Sequence, residues 1–139
     1  MVLVRSRFAL LAFTLAVTSA SAADNAPMHP VASGAAAAVA DSDAPFVMAV
    51  RFLVREGLEN DFIAAMADPR DQTAKESGNL AYELSVDPSN ARSFLLYEKW
   101  ENVAALDSHL KQPYLVKLGG ALGDLLSEPP SIAYYVPVD

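Results

Sequence analysis

Regular alternation of apolar and polar positions begins at residue 46. In FVMAVRFLV, residues 46–54, Met48, Val50, Phe52 and Val54 fall on one face of an extended chain and Val47, Ala49, Arg51 and Leu53 on the other. Both faces are largely apolar, so the pattern predicts a strand that meets protein on both sides. REG then reads as a turn. Over residues 58–75 the period lengthens, with Phe62, Ile63 and Met66 at helical spacing. Pro69, preceded by Asp68 as a cap, predicts a kinked or two-part helix, and Gly78 in ESGN is expected at its C-terminal cap. LAYELSV (80–86) and SFLLYEKW (93–100) alternate again around the turn residues DPSN, which predicts a hairpin. Asn102 is placed to cap a helix over 103–111. Pro113 opens a further helix carrying Tyr114, Leu115, Leu118, Leu122 and Leu125, weakened in its middle by Gly119 and Gly120. The run SIAYYVPV reads as a last strand with Ile132, Tyr134 and Val136 on one face.

Strand, helix, strand, strand, helix, strand is the split βαβ order of ferredoxin-like α+β domains, an antiparallel sheet with helices on one face. The opposite face carries Val47, Ala49, Leu53, Leu95 and Tyr97. It is too apolar to be left to water, which predicts a homodimer in which two sheets pack together.

The first 44 residues follow a different pattern. Arg5 and Arg7 precede the apolar run FALLAFTLAV, and SASA supplies small residues at Ala20 and Ala22, so residues 1–22 read as a secretory signal with the mature chain starting at Ala23 or Asp24. The apolar run is short against the roughly 20 residues of a spanning helix, which favours cleavage over anchoring and implies no stable membrane association afterwards. The expected location is outside the cytoplasm, periplasmic or secreted. Residues 23–44 are rich in Ala, Pro, Ser, Gly and Asp, with no aromatic residue and no sustained apolar face. They read as a flexible tether, transiently helical at most over 35–38, in which His29 is solvent-exposed and without a role. Residues 45–139 form the folded domain.

Charge and composition narrow the chemistry. The chain carries a net −7, and loss of Arg5 and Arg7 with the signal makes the mature balance −9. So acidic a chain repels phosphate backbones, and no nucleic-acid partner is expected. With no cysteine there is no disulfide, no thiolate nucleophile and no lipid anchor at the cleavage point. Of two histidines one is in the tether, so no metal site is expected. No G-x-S-x-G nucleophile motif occurs, and LGGALG sits inside a helical pattern rather than between a strand and a helix, so it is no phosphate loop.

What remains is a convergence of polar and aromatic side chains. Phe94, Leu96, Glu98 and Trp100 share a face of the third strand, and Leu106, His109 and Leu110 share one of the helix that follows. Both sets face the space between sheet and helices. A histidine there is a candidate proton acceptor near neutral pH, with Glu98 orienting or charging it. The competing reading makes His109 a hydrogen-bonded core residue, Glu98 its partner or a helix-end ligand, and Trp100 filling. Tyr82 and Tyr114 bring hydroxyls to the same space or simply pack. Asn79 offers an amide at the start of the second strand, or serves its turn.

KESGNLAYEL and LLYEKWENVAALDSHLKQPYL, following the opening strand and REG, resemble the antibiotic biosynthesis monooxygenase family of dimeric α/β-barrel proteins, including its quinol monooxygenase-like members. Glu76, Gly78 and Tyr82 match E-x-G-x-x-x-Y, while Tyr97, Glu98, Trp100, Ala105, His109 and Leu110 match Y-E-x-W and A-x-x-x-H-L. The resemblance covers residues 45–139. It implies an oxygenase without a cofactor, in which a deprotonated quinol or phenol itself reduces dioxygen. His109 and Glu98 are then the catalytic candidates, with Trp100, Tyr82, Tyr114, Asn79 and Val50 lining the substrate space. One branch of the family degrades haem, with an asparagine where Val50 aligns and a histidine late in the second helical region; this chain has no histidine after Tyr114, so haem degradation is disfavoured. Tyr114 also stands where quinol-type members often carry a second histidine.

Two functions follow as alternatives: a cofactor-independent monooxygenase of a small quinol or phenolic aromatic, or a non-catalytic exported dimer that binds a small aromatic ligand or a protein partner. Isomerase or lyase chemistry is allowed only by analogy among related barrels.

Overall fold

The computed structural model describes residues 26–138. The expected signal, residues 1–22, lies outside the described residues. The elements are α1 (Pro30–Ala38), β1 (Phe46–Leu53), α2 (Glu59–Thr73), β2 (Asn79–Asp87), β3 (Asn90–Trp100), α3 (Val103–Leu110), α4 (Pro113–Leu125) and β4 (Ser131–Tyr135). The four strands form one sheet in the order β2-β3-β1-β4, each neighbouring pair antiparallel. From β1 onward this is the ferredoxin-like α+β arrangement. No helix of the described residues is long and apolar enough to cross a membrane.

The strand alternation sets the layers. Phe46, Met48, Val50 and Phe52 of β1, with Phe94, Leu96, Glu98 and Trp100 of β3, are buried beneath the helices. Their alternates Val47, Ala49, Leu53 and Leu95 are half-buried, and Tyr97 and Tyr135 are exposed. Phe62 of α2 stacks between Phe52 and Phe94, with ring centroids 5.2 and 4.9 Å away, which seats the helix on the sheet.

Two local expectations are corrected. α2 runs through Pro69 as one helix of 15 residues instead of breaking there. Proline removes one backbone hydrogen bond, but here Phe62, Met66, Pro69 and Thr73 make a continuous buried stripe, and that packing outweighs the local loss. Gly78 does not cap the helix, which ends at Thr73; a Cβ at Gly78 would lie 2.3 Å from the Ala105 Cβ, so the glycine permits a close approach of this turn to α3. The left-handed glycine is Gly57 of REG, at φ 84°.

The expected flexible tether is not one over its described part. Pro30–Ala38 is helical, with Pro30 in the first turn and the His29 imidazole Nδ1 accepting from the Val31 N–H at 3.2 Å. Ala32 and Ala35 are fully buried and pack with Val39 into the same apolar cluster as Trp100 and Leu106. Nor is His29 without a role: besides capping α1, its backbone N–H donates to Asp107 Oδ1 at 2.7 Å, tying the helix to α3. The segment orders because α3 and Tyr134 supply the apolar surface that its own alanines lack.

Candidate functional site

The site is built where β3 hands over to α3. Glu98 and Trp100 are two residues apart on a strand and so project the same way, under the helices, where they are 3% and 0% exposed. The Trp100 Nε1–H donates to Glu98 Oε2 at 2.8 Å. Asn102 then caps α3, its side chain accepting from the Ala105 N–H at 2.8 Å. Starting the helix there turns Val103, Leu106 and His109 toward the core. His109 is 1% exposed.

The His109 ring is enclosed by aromatics, with centroids 4.5 Å from Trp100, 5.5 Å from Tyr82 and 6.2 Å from Tyr114. Its acidic partner is Glu76, whose Oε1 lies 2.9 Å from Nδ1, and not Glu98, which was expected to orient it. The Tyr114 hydroxyl donates to the same Glu76 oxygen. Tyr114 thereby ties α4 to the turn ahead of β2, with the Thr73 hydroxyl 3.4 Å from the Tyr114 oxygen and itself donating to the Pro69 carbonyl at 2.7 Å.

Burial sets the protonation states. Desolvation pulls the His109 pKa below its ordinary value, with the Glu76 hydrogen bond and charge opposing. The neutral ring donates from Nδ1 to the Glu76 carboxylate, which leaves the lone pair on Nε2. Desolvation also pushes Glu98 up to about 8, opposed by the Trp100 N–H and assisted by the Glu76 charge, so its carboxyl holds a proton at neutral pH. Tyr82 is raised as well, by burial first and the Glu98 charge second.

Of the remaining candidates, Val50 is buried in mid-sheet opposite Leu96, on the side shared by Met48 and Glu98. Asn79 does not join the cluster: its Nδ2 donates to the Ala81 carbonyl at 3.0 Å where the β2 register shifts, which is its turn role. Glu76 is the residue that reading the sequence passed over as chemistry. Its signal was present in the E-x-G pattern, but a glutamate in a turn gives no periodicity to say where it points.

Among the described residues no group of three His, Cys, Asp or Glu side chains is placed to hold a metal ion. Glu76 lines a cleft of about 420 Å³ with Gly78, Asn102, Ala105 and Gln112. A larger groove of about 520 Å³ runs between His29, Leu110, Lys111 and α4. Neither is lined by His109, Glu98, Trp100 or Tyr82; the first meets the polar cluster through Glu76 alone, and the second is lined by none of it.

This fold, with a histidine and carboxylates enclosed by aromatics beneath the sheet, defines a class. The chain belongs to the family described as antibiotic biosynthesis monooxygenase, whose sequence profile matches residues 45–118. It is 33% identical over 97 residues to an uncharacterized Synechocystis protein, sll1783, matching 70% of this chain and 66% of that one. It thus spans just under two thirds of that relative. Rv0793 of Mycobacterium tuberculosis, provisionally named a monooxygenase, is 24% identical over 95 residues; its structure superposes with a TM-score of 0.65, covering 69% of this chain and 97% of Rv0793. The Shewanella oneidensis protein SO0527 is 28% identical, with a TM-score of 0.63 over 67% of this chain and 90% of its own.

Proposed function

We propose that this chain is a cofactor-independent monooxygenase that oxidises a small quinol or phenolic aromatic with dioxygen, as an exported homodimer. The observation that carries the reading is a neutral His109 fixed by Glu76 through Nδ1 and ringed by Trp100, Tyr82 and Tyr114. In this reading the substrate hydroxyl gives its proton to His109 Nε2, and Glu76 stabilises the imidazolium that forms. The substrate anion supplies electrons to dioxygen. One oxygen atom enters the ring, and the other leaves as water with two hydrogens taken from the quinol, giving a hydroxyquinone. Glu98, holding its proton, adds no second negative charge against the phenolate. The aromatic rings hold the substrate ring by stacking and edge contacts.

The dimer is supported by the exposed apolar sheet face, and export by the pattern of residues 1–22; N-terminal sequencing of secreted or periplasmic protein would find Ala23 or Asp24 first if export and cleavage occur. A second reading, binding without chemistry, is favoured by one observation: with His109 at 1% and Glu98 at 3% exposure, no reacting atom is open to a ligand in this conformation. Oxygen uptake by metal-free and flavin-free protein on a panel of hydroquinones and naphthols separates the two. Saturable uptake that falls at least about tenfold in His109→Ala supports the enzyme. Uptake no faster than spontaneous oxidation supports the binding protein.

A further inference from the structure

Two residues join the polar cluster around His109 to the surface. Glu76 keeps 18% of its side chain exposed and lines the cleft it shares with Gly78, Asn102, Ala105 and Gln112. Tyr114 is half-buried and borders a smaller gap of about 150 Å³ between α2 and α4, whose other walls include Ala64, Ala65 and Ala121. The two meet at one atom. Glu76 Oε1 accepts from both the His109 ring and the Tyr114 hydroxyl, whereas Oε2 enters no hydrogen bond among the described residues and is not buried.

The side chain of Tyr114 is itself a phenol with an alkyl group opposite its hydroxyl. It shows that Glu76 accepts a phenolic O–H next to His109, and that a phenol ring fits there with its centroid 6.2 Å from that of the imidazole. Its hold is local. Tyr114 is the second residue of α4, whose N-cap, Gln112, makes no capping bond through its side chain. The hydroxyl's partners, Glu76 and Thr73, lie in the turn after α2 and at the end of that helix. A first-turn side chain beside a gap walled by alanines has room to leave its place while the rest of the helix stays folded.

We propose that Glu76 is the residue that binds the hydroxyl of a phenolic ligand, and that the ligand takes the place which the Tyr114 hydroxyl holds. The ligand ring then lies beside His109, and the Tyr114 ring moves into the gap between α2 and α4. The proposal rests on the reading of the His109 cluster as the functional site. With Glu101 on the same cleft and no basic residue lining it, a neutral hydroxyl is admitted more readily than an anion. Tyr114 becomes a competitor tethered to the chain, so the ligand's apparent affinity is its intrinsic affinity reduced by the fraction of chains in which Glu76 is free of it. Deleting the competing hydroxyl should strengthen binding, whereas deleting a hydrogen-bonding wall of a pocket would weaken it.

The probe is p-cresol, the tyrosine side chain without its backbone and neutral at pH 7 as tyrosine is, with toluene as the same ring lacking the hydroxyl. In a His29→Asn chain, where asparagine keeps a capping acceptor, His109 is the one imidazole and its ring resonances report binding at this site. Titrated into that full chain, p-cresol should bind about tenfold or more tightly once Tyr114→Phe is added, the usual worth of a hydrogen bond to a charged group, while toluene gains little. Adding Glu76→Gln as well should remove most of the p-cresol gain. The proposal is overturned if p-cresol shifts no His109 resonance, if it binds equally or less tightly in Tyr114→Phe, if toluene gains as much, or if the gain survives Glu76→Gln in full. None of these readings depends on oxygen. Chains that bind p-cresol in this way yet consume no oxygen with hydroquinones would sink the proposed reaction and leave the role of Glu76 standing, and quinol turnover without the p-cresol gain would do the reverse.

Discussion

The two faces of the sheet are made from the same strands and do opposite things with polarity. On β3, Leu96, Glu98 and Trp100 look under the helices, while Leu95, Tyr97 and Lys99 look the other way. The helix side takes two ionisable groups, Glu98 and His109, out of water and gives each a hydrogen-bond partner. The open side takes no ionisable group out of water; it leaves Tyr97 and Tyr135 exposed at 37% and 54%. Desolvation is the largest cause of the shifts at Glu98 and His109, so the proposed chemistry is set on the first face. Apolar area free to be covered is what drives association, so the second face is where the proposed partner copy would pack. Substitutions at alternate positions of one strand should therefore separate activity from assembly.

The largest expected contrast is at His109. His109→Ala should lower oxygen uptake by about 10²- to 10⁴-fold, the usual worth of a positioned general base, in kcat more than in KM. The same variant should sediment as wild type does. If uptake is unaffected, the buried face is a core and nothing more. On the other side, Tyr97→Glu combined with Leu95→Lys should abolish the dimer in sedimentation at micromolar protein, since a charged pair at the centre of an apolar interface costs several kcal/mol, on the order of the hot-spot losses seen elsewhere. Stability of the monomer should change by about 0.5 kcal/mol or less, as for other surface positions. A double variant that stays dimeric would move the interface to another surface.

How much of this contrast is written in the sequence depends on the range of the interactions that make it. Strand alternation is local, so the two faces of β1 and β3 were legible, and so were Asn102 as a cap and the inward turn of His109. Glu98 was placed on the right face but paired with the wrong residue, because the bond of His109 to Glu76 depends on how a turn 33 residues before His109 lies across α3, and Glu98 is bonded instead to Trp100, two residues along its own strand. That turn is set by Gly78 against Ala105, a contact no periodicity reports. Helix α1 was illegible for a related reason. Its buried residues are alanines, and what makes them core is a tyrosine 103 residues further on, bonded to the Val31 carbonyl. Pro69 misled in the opposite direction, since a strong local signal for a break was overridden by the stripe from Phe62 to Thr73.

Trp100 tests the polar accounting of the buried face at smaller scale. Trp100→Phe keeps an aromatic ring against His109 but removes the donor to Glu98 Oε2, leaving a buried acceptor without that bond. Denaturant unfolding should show a loss of about 1–3 kcal/mol. Tyr97→Phe, three residues earlier and on the exposed face, should lose almost nothing. Equal losses at the two positions would mean that the Trp100–Glu98 bond contributes little and that the faces differ in apolar packing alone.

The finest test is the dependence of stability on pH near neutrality, above the acid range in which Asp87 and Asp107, both held below the ordinary carboxylate value, make their contribution. Glu98 in the folded chain titrates at about 8, far above an unfolded glutamate near 4.3, so between those values the native state holds a proton that the unfolded state has released. Stability must then fall as pH rises through that window and level off above about 8. His109 acts with the opposite sign. Its folded pKa is depressed, so the unfolded state binds the extra proton, and stability is lost as pH falls through about 6.5, the unfolded value. Below about 6.5 the two slopes compete, whereas between about 6.5 and 8 Glu98 acts without that opposition, with a slope of at most about 1.4 kcal/mol per pH unit. Urea midpoints taken across that upper window should decline in the wild type and stay level in Glu98→Gln, which keeps the shape and an acceptor for Trp100 but has no proton to lose. A wild-type profile as flat as that of Glu98→Gln would mean that Glu98 is hydrated or charged at neutral pH, and that the buried face is more open to water than its geometry indicates.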